Sequence, residues 1–96
     1  MTYYKKTEYK LLGFEKSKAK GKMYVATIEN KKTKRKIRVH FGSSSHSNYQ
    51  DKTGLNLYPH LIHGDKERRR LYKSRHKVYL KDGYYSPSFF SWSYLW

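Results

Sequence analysis

Histidines and serines are the side chains of this sequence best suited to metal binding or catalysis. His60 and His63 stand three positions apart in HLIH, a spacing at which two imidazoles on one helix can share a metal ion. Pro59 interrupts a helix at that point and the chain has no cysteine, so no metal site is predicted. Ser43 to Ser45 lack a recognisable general base, and the few carboxylates are scattered. We therefore predict neither enzyme activity nor a cofactor nor a small-molecule substrate.

Positive charge is the dominant chemical feature. Lys and Arg number 22 against 7 Asp and Glu, which gives a net charge of +15. A small domain needs a net charge of only about 2 to 8 for solubility. The excess favours a polyanionic partner, most commonly nucleic acid, with anionic lipid and acidic protein surfaces as alternatives. Alternatively, the excess charge has no partner and serves only as a solvated surface that keeps the protein soluble.

Two segments hold the basic residues predicted to bind a polyanion or an acidic partner. The first contributes Lys31, Lys32, Lys34, Arg35, Lys36 and Arg38, and the second contributes Lys66, Arg68, Arg69, Arg70, Lys73, Arg75 and Lys77. The basic turn KSKAKGK is expected about 20 Å from the first segment, at the other end of a strand of ~3.3 Å per residue. We therefore expect a broad basic surface rather than one compact pocket. No base-reading motif is present, which predicts binding without sequence specificity.

Three strands are predicted in the first half of the chain. Residues 9–15, 22–29 and 35–41 mix apolar and polar side chains with a period of two and are separated by turn-like segments. In the third strand Ile37, Val39 and Phe41 share the face that packs, while the alternate residues form a basic, solvated face. The pattern predicts a three-stranded antiparallel meander.

A helix is predicted over residues 65–77. Asp65 is suited to cap its N-terminus, and the basic residues of its last turns match the helix dipole. Residues 43–54 are rich in serine and read as a long loop, and residues 1–8 are expected to be flexible. Residues 1–96 are predicted to form a single basic domain.

The segment from Ser86 to Trp96, SPSFFSWSYLW, is aromatic at five of its eleven positions. Ser86 is a natural N-cap and Pro87 a natural first helical residue, so a short helix is predicted. Phe89, Trp92 and Trp96 would form its apolar stripe, either as core on the meander or as an anchor for a partner. The fold class is therefore α+β, with the meander packed against one long and one short C-terminal helix. No segment has the roughly 20 apolar residues of a membrane span.

The order of motifs resembles a family of small basic proteins encoded by large DNA viruses of eukaryotes. The resemblance covers roughly residues 22–96 and rests on VHFG, on an H-x-D-x-x-R-R-x-x-Y-x-x-R-H type of segment, and on the aromatic C-terminal end. The segment falls on His63, Asp65, Arg68 or Arg69, Tyr72, Arg75 and His76. The stretch between Gly42 and Ile62 is longer here than is usual in the family.

The resemblance implies a setting rather than a mechanism, because the family has no assigned biochemical activity. It implies a non-enzymatic virion structural protein, expected in the virion and in the host cytoplasm or nucleus during assembly. A minor capsid or cement component would contact acidic capsid proteins or the genome and could assemble into symmetric multimers. The alternative is a protein that binds double-stranded DNA without sequence specificity and packages the genome.

Overall fold

The computed structural model describes residues 3–96 and has an α+β fold, as predicted. The strands are β1 (Tyr4–Lys5), β2 (Tyr9–Lys16), β3 (Lys22–Asn30), β4 (Lys36–Ser43) and β5 (Tyr84–Tyr85), and the α-helices are α1 (Lys66–His76) and α2 (Pro87–Tyr94). Two single-turn 3-10 helices, Pro59–Leu61 and Lys77–Tyr79, lie outside these elements.

The strands β2, β3 and β4 form the predicted antiparallel meander. Tyr24 pairs with Phe41 and Ala26 with Val39, which places their side chains on one face of the sheet. These four residues are buried, whereas Lys36 and its basic neighbours on alternate positions are exposed. The period-two pattern of the sequence therefore assigned the faces of β4 correctly, because register determines which side chains reach the core.

A second sheet, which the sequence did not predict, pairs β1 with β5. Tyr4 lies opposite Tyr85, and the Lys6 backbone N–H donates to the Gly83 carbonyl at 2.8 Å. The expectation of flexibility for residues 1–8 missed this pairing, because a two-residue strand has no readable period. The first two residues of that range lie outside the described part of the chain.

Helix α2 covers the meander and begins as predicted, with the Ser86 hydroxyl accepting from the Phe89 N–H at 3.1 Å. Phe90 is fully buried, with its ring centre 5.4 Å from that of Phe41. The predicted stripe of Phe89, Trp92 and Trp96 is therefore not the buried face of this segment. The fully buried apolar residues of the segment are Phe90 and Leu95, whereas Phe89 and Trp96 are partly buried at the edge of the core. Because α2 ends at Tyr94, no helical spacing reaches Trp96.

Gly42, the last residue of the VHFG sequence, makes room for this C-terminal segment. Its φ of 78° lies in the left-handed region, and a Cβ there would stand 2.9 Å from Leu95 Cδ1. A side chain at position 42 would therefore be strained by the backbone and would displace a core residue.

The serine-rich segment after β4 is a loop, and its contacts fix it to the core. Asn48 is buried, and its Nδ2 donates to the Met23 sulfur at 3.0 Å. Further along, the Tyr24 hydroxyl donates to Asp51 Oδ2 at 2.5 Å and accepts from the Leu57 N–H at 3.0 Å. Burial, together with the Asp51 carboxylate, raises the pKa of Tyr24 to about 12.

Helix α1 does not pack as the sequence predicted. None of its residues is fully buried, and it lies against the C-terminal segment instead of the meander. The Tyr72 ring stacks on the Trp96 ring with centres 4.2 Å apart and planes 3° apart. The predicted N-cap is confirmed, because the Asp65 carboxylate accepts from the Glu67 and Arg68 N–H groups at 2.9 and 3.2 Å.

Candidate polyanion-binding cleft

The first predicted basic segment forms the turn between β3 and β4. The Asn30 side chain accepts from the Lys32 and Thr33 N–H groups at 2.9 and 3.0 Å, and this holds the turn. Lys31, Lys32, Lys34, Arg35, Lys36 and Arg38 are all exposed. Arg38 pairs with Glu15 at 3.2 Å, so the turn itself presents the unpaired charge.

The second basic segment, on α1, points in several directions. The Arg69 Nε donates to the Trp96 carbonyl at 2.8 Å, and the Lys73 ammonium lies 5.0 Å from the centre of the Trp92 ring. Burial lowers the pKa of Lys73, and the charge of Arg69 adds to this effect. Arg70 is exposed and pairs with Glu67 at 2.5 Å. The basic residues of this segment are thus divided, with Arg69 and Lys73 serving to dock the helix.

A cleft of about 860 Å³ opens between α1 and the end of β4. One wall is formed by α1, the opposite wall by the end of β4 and the following loop, and the rest by α2 and Trp96. The cleft is basic and contains imidazoles. Its cationic residues are Lys22, Arg68 and Arg75, its histidines are His46, His63 and His76, and its small polar residues include Ser43, Ser47, Asn48 and Ser91.

A stack of aromatic rings holds the α1 wall in place. Tyr72 lies between Trp96 and His76, with each pair of ring centres 4.2 Å apart. The His63 ring approaches the other side of this group, 5.2 Å from Trp96. Burial raises the pKa of Tyr72 to about 12, so the phenol remains neutral at physiological pH. All four rings line the cleft.

Two of the cleft imidazoles, His63 and His76, have a pKa that is lowered from its ordinary value. The Asp65 N–H donates to His63 Nδ1 at 2.8 Å, so the neutral ring carries its proton on Nε2, a buried atom without a hydrogen-bond partner among residues 3–96. Burial and the charge of Arg68 lower the pKa of His63, against a smaller opposing effect of Asp65. Burial and Arg75 lower the pKa of His76. The lowered pKa favours the neutral form of the His63 and His76 imidazoles at neutral pH.

A serine and a histidine meet at the rim of the cleft, a contact that sequence reasoning missed. Ser43 Oγ and Ser45 Oγ lie 2.8 and 3.2 Å from His46 Nδ1. Among the described residues, no carboxylate hydrogen-bonds to this imidazole to orient it as a general base. The group is suited to hydrogen bonding with a ligand.

Within residues 3–96, no cluster of three or more His, Asp or Glu side chains has a metal-binding arrangement. No helix in the same range is both long and apolar enough to cross a membrane. Comparison of the chain with protein-family models, with curated proteins and with solved structures found no match. The candidate site must therefore be interpreted from its own chemistry.

The structure brings together only part of the predicted binding set. Arg68 and Arg75 face the cleft, while Lys66, Arg70 and Lys77 are exposed and do not line it. Lys22 joins them from the first position of β3, where it pairs with Ser43 at the end of β4. The expectation of a broad binding surface stays a prediction. The cleft is a concave basic site that it did not include, because it placed the basic turns relative to each other but not relative to α1.

Proposed function

We propose that this protein is a non-enzymatic structural protein that binds a polyanion. The observation that supports this most directly is the shortage of internal partners for its positive charge. Only Lys10, Arg38 and Arg70 form ion pairs within residues 3–96, and the net charge is +15. A surface with this much unpaired charge gains free energy from counterion release when it neutralises a polyanion.

The resemblance to the viral family supplies the proposed setting. In it, the protein is a minor capsid or cement component of a virion, present in symmetric copies, whose exposed basic surface contacts acidic capsid proteins or the genome. The exposed β3–β4 turn supports this role, because it carries unpaired lysines at a point that a neighbouring molecule can reach. Contact with acidic capsid proteins or with the genome requires no catalytic group.

The alternative proposal, a DNA-binding protein that packages the genome, is favoured by the distribution of the cations. They occupy the β3–β4 turn, the exposed side of α1 and the cleft, on a molecule whose longest dimension is 41 Å. Cations spread over such a distance can neutralise phosphates along a duplex that advances about 3.4 Å per nucleotide of each strand, about twelve nucleotides in all.

Binding measured against salt concentration tests the proposal. The protein is mixed with a fluorescent duplex of mixed sequence or with polyglutamate, and affinity is measured by anisotropy from about 50 to 200 mM salt. We expect the logarithm of the binding constant to fall linearly with the logarithm of the salt concentration, with a slope of about −0.9 per phosphate contacted on the duplex. Replacement of Lys31, Lys32, Lys34 and Lys36 by Gln should flatten this slope.

The two polyanions separate the two roles. Preference for polyglutamate over the duplex supports contact with acidic capsid proteins, and the reverse supports genome packaging. Counting of copies in purified particles adds a second measure, since a cement protein occurs in fixed proportion to the capsid shell. Absence of binding to both polymers at about 50 mM salt would refute the polyanion role altogether.

A further inference from the structure

We propose that the cleft between α1 and the end of β4 binds a short stretch of single-stranded nucleic acid through its phosphodiester backbone. This inference rests on the proposed function, because it takes the excess positive charge to be a binding surface. It adds a defined site, a ligand class and a group of residues distinct from the exposed lysines of the β3–β4 turn.

The arginines of the cleft are spaced for phosphates about three nucleotides apart. Arg68 and Arg75 are seven residues apart on α1, and both line the cleft. Seven residues of α-helix correspond to about 10.5 Å and two turns, so both side chains leave the same face. A nucleic acid strand advances about 3.4 Å per nucleotide, so the two guanidinium groups span about three nucleotides.

Contacts across the cleft add further groups for the backbone. Arg68 donates from Nη1 to Ser47 Oγ on the opposite wall at 3.2 Å, so this guanidinium already bridges the two walls. Lys22 and the Ser43–His46 pair lie on the same side as Ser47. Phosphate oxygens entering here would meet a lysine, two arginines and hydroxyl and imidazole groups, and no Asp or Glu side chain of residues 3–96 lines the cleft.

The shape of the cleft selects a single strand over a duplex. Its volume of about 860 Å³ falls in the range of sites that enclose small ligands, about 300 to 1,000 Å³. A B-form duplex, whose major groove alone is about 12 Å wide, is too broad to enter and would contact only the rim. A few nucleotides of a single strand match the enclosed volume.

The remaining lining residues suit unpaired bases. Leu71, 44% exposed, lies between the two arginines, and the aromatic stack of Trp96, Tyr72 and His76 borders the same space. Single-stranded nucleic acid is characteristically bound by a cationic groove combined with aromatic side chains, because every base offers a π face regardless of sequence. The cleft combines both features without base-reading geometry.

A pair of matched double variants tests the site. Binding of a six-nucleotide oligothymidylate is measured by anisotropy for R68Q/R75Q and for K66Q/K77Q, which removes the same charge outside the cleft, from Lys66 of α1 and Lys77 of the 3-10 helix that follows it. We expect R68Q/R75Q to lose at least about tenfold in affinity and about 1.4 in salt slope, from 0.7 per phosphate. The control should lose less than about threefold, since its lysines act only through the general field.

A fluorescence measurement provides a second readout that does not depend on these variants. Trp92 and Trp96 are the tryptophans of the chain, and Trp96 alone lines the cleft. In the Trp92→Phe variant, oligothymidylate bound in the cleft should quench the emission of Trp96. If R68Q/R75Q fails to fold, as judged by circular dichroism, this quenching alone tests whether the oligothymidylate binds in the cleft.

Each result has a distinct meaning. Equal losses in the two double variants, or binding by anisotropy without quenching of Trp96, would overturn the cleft as the site while leaving polyanion binding intact. Absence of binding to the oligothymidylate, with a duplex still bound, would overturn the single-strand assignment. Absence of binding to every nucleic acid and to polyglutamate would refute the proposed function as well.

Discussion

Replacement of Tyr72 by alanine should release α1 from the molecule without unfolding the core. The Tyr72 ring joins this helix to Trp96, and no residue of α1 is fully buried. The core of β3, β4 and α2 makes its own contacts through Phe41 and Phe90. We therefore expect α1 to behave as a separate unit of local stability.

The magnitude follows from the contacts of the ring. Removal of a partly buried aromatic side chain costs about 2 kcal/mol, less than the roughly 3 to 5 kcal/mol for a fully buried one. Loss of the stacked pair with Trp96 adds about 1 kcal/mol. The stack on His76 lies within the same helix and is not part of the docking. A loss of about 3 kcal/mol corresponds to about a hundredfold fall in hydrogen-exchange protection.

Native-state hydrogen exchange measures this effect directly. In Tyr72→Ala, amide protection of residues 66–76 should fall by up to about a hundredfold, while that of residues 22–30 stays within about threefold. Tyr72→Phe is the matched control, because it keeps the ring and removes only the hydroxyl that bonds to Ser91. Equal loss of protection in α1 and β3 would refute the reasoning, as would unchanged protection in α1.

Three further outcomes follow from the contacts described above. Tyr24→Phe should lower the free energy of unfolding in urea by about 2 to 4 kcal/mol, because it leaves a carboxylate and a backbone N–H without their partner; a loss below about 0.5 kcal/mol would contradict this. Phe90→Ala should cost about 3 to 5 kcal/mol and Trp92→Ala clearly less, as measured by thermal denaturation, since only Phe90 is fully buried. His63 should make the stability depend on pH. Because burial and Arg68 lower the pKa of His63 in the folded protein, its imidazole takes up a proton at a higher pH in the unfolded chain, near pH 6.5, than in the folded state. The stabilisation from the neutral imidazole should therefore be complete above pH 6.5, and the free energy of unfolding should decrease as the pH falls. The decrease should be smaller in His63→Asn, which keeps an acceptor but does not titrate. An equal decrease in both proteins would contradict this.

The sequence predicted the elements that depend on local patterns. The three strands of the meander and the inward face of β4 were correct, because alternation of side chains translates directly into burial on a two-sided sheet. Asp65 and Ser86 cap their helices as predicted, since capping needs only the residue and the next turn. These features require no knowledge of tertiary contacts.

The features that the sequence missed depend on distant contacts. The stripe predicted for the C-terminal helix was not its buried face, because contact with Phe41 and β5 fixes which side of α2 faces the core. The cleft was missed for a similar reason. Its walls come from α1 and from the end of β4, and the ring stack of Tyr72 on Trp96 that brings them together leaves no periodic signal.

The small sheet of β1 and β5 has a consequence for the order of folding. Tyr4 and Tyr85 are separated by about 80 residues, and closing so long a loop carries an entropy cost that grows with the logarithm of its length. The hairpins of the meander close over only a few residues, so they can form first. The β1–β5 pair should form near the end of folding, after α2 has docked on the meander. Its absence would then mark the late intermediates of a chain whose core is already assembled.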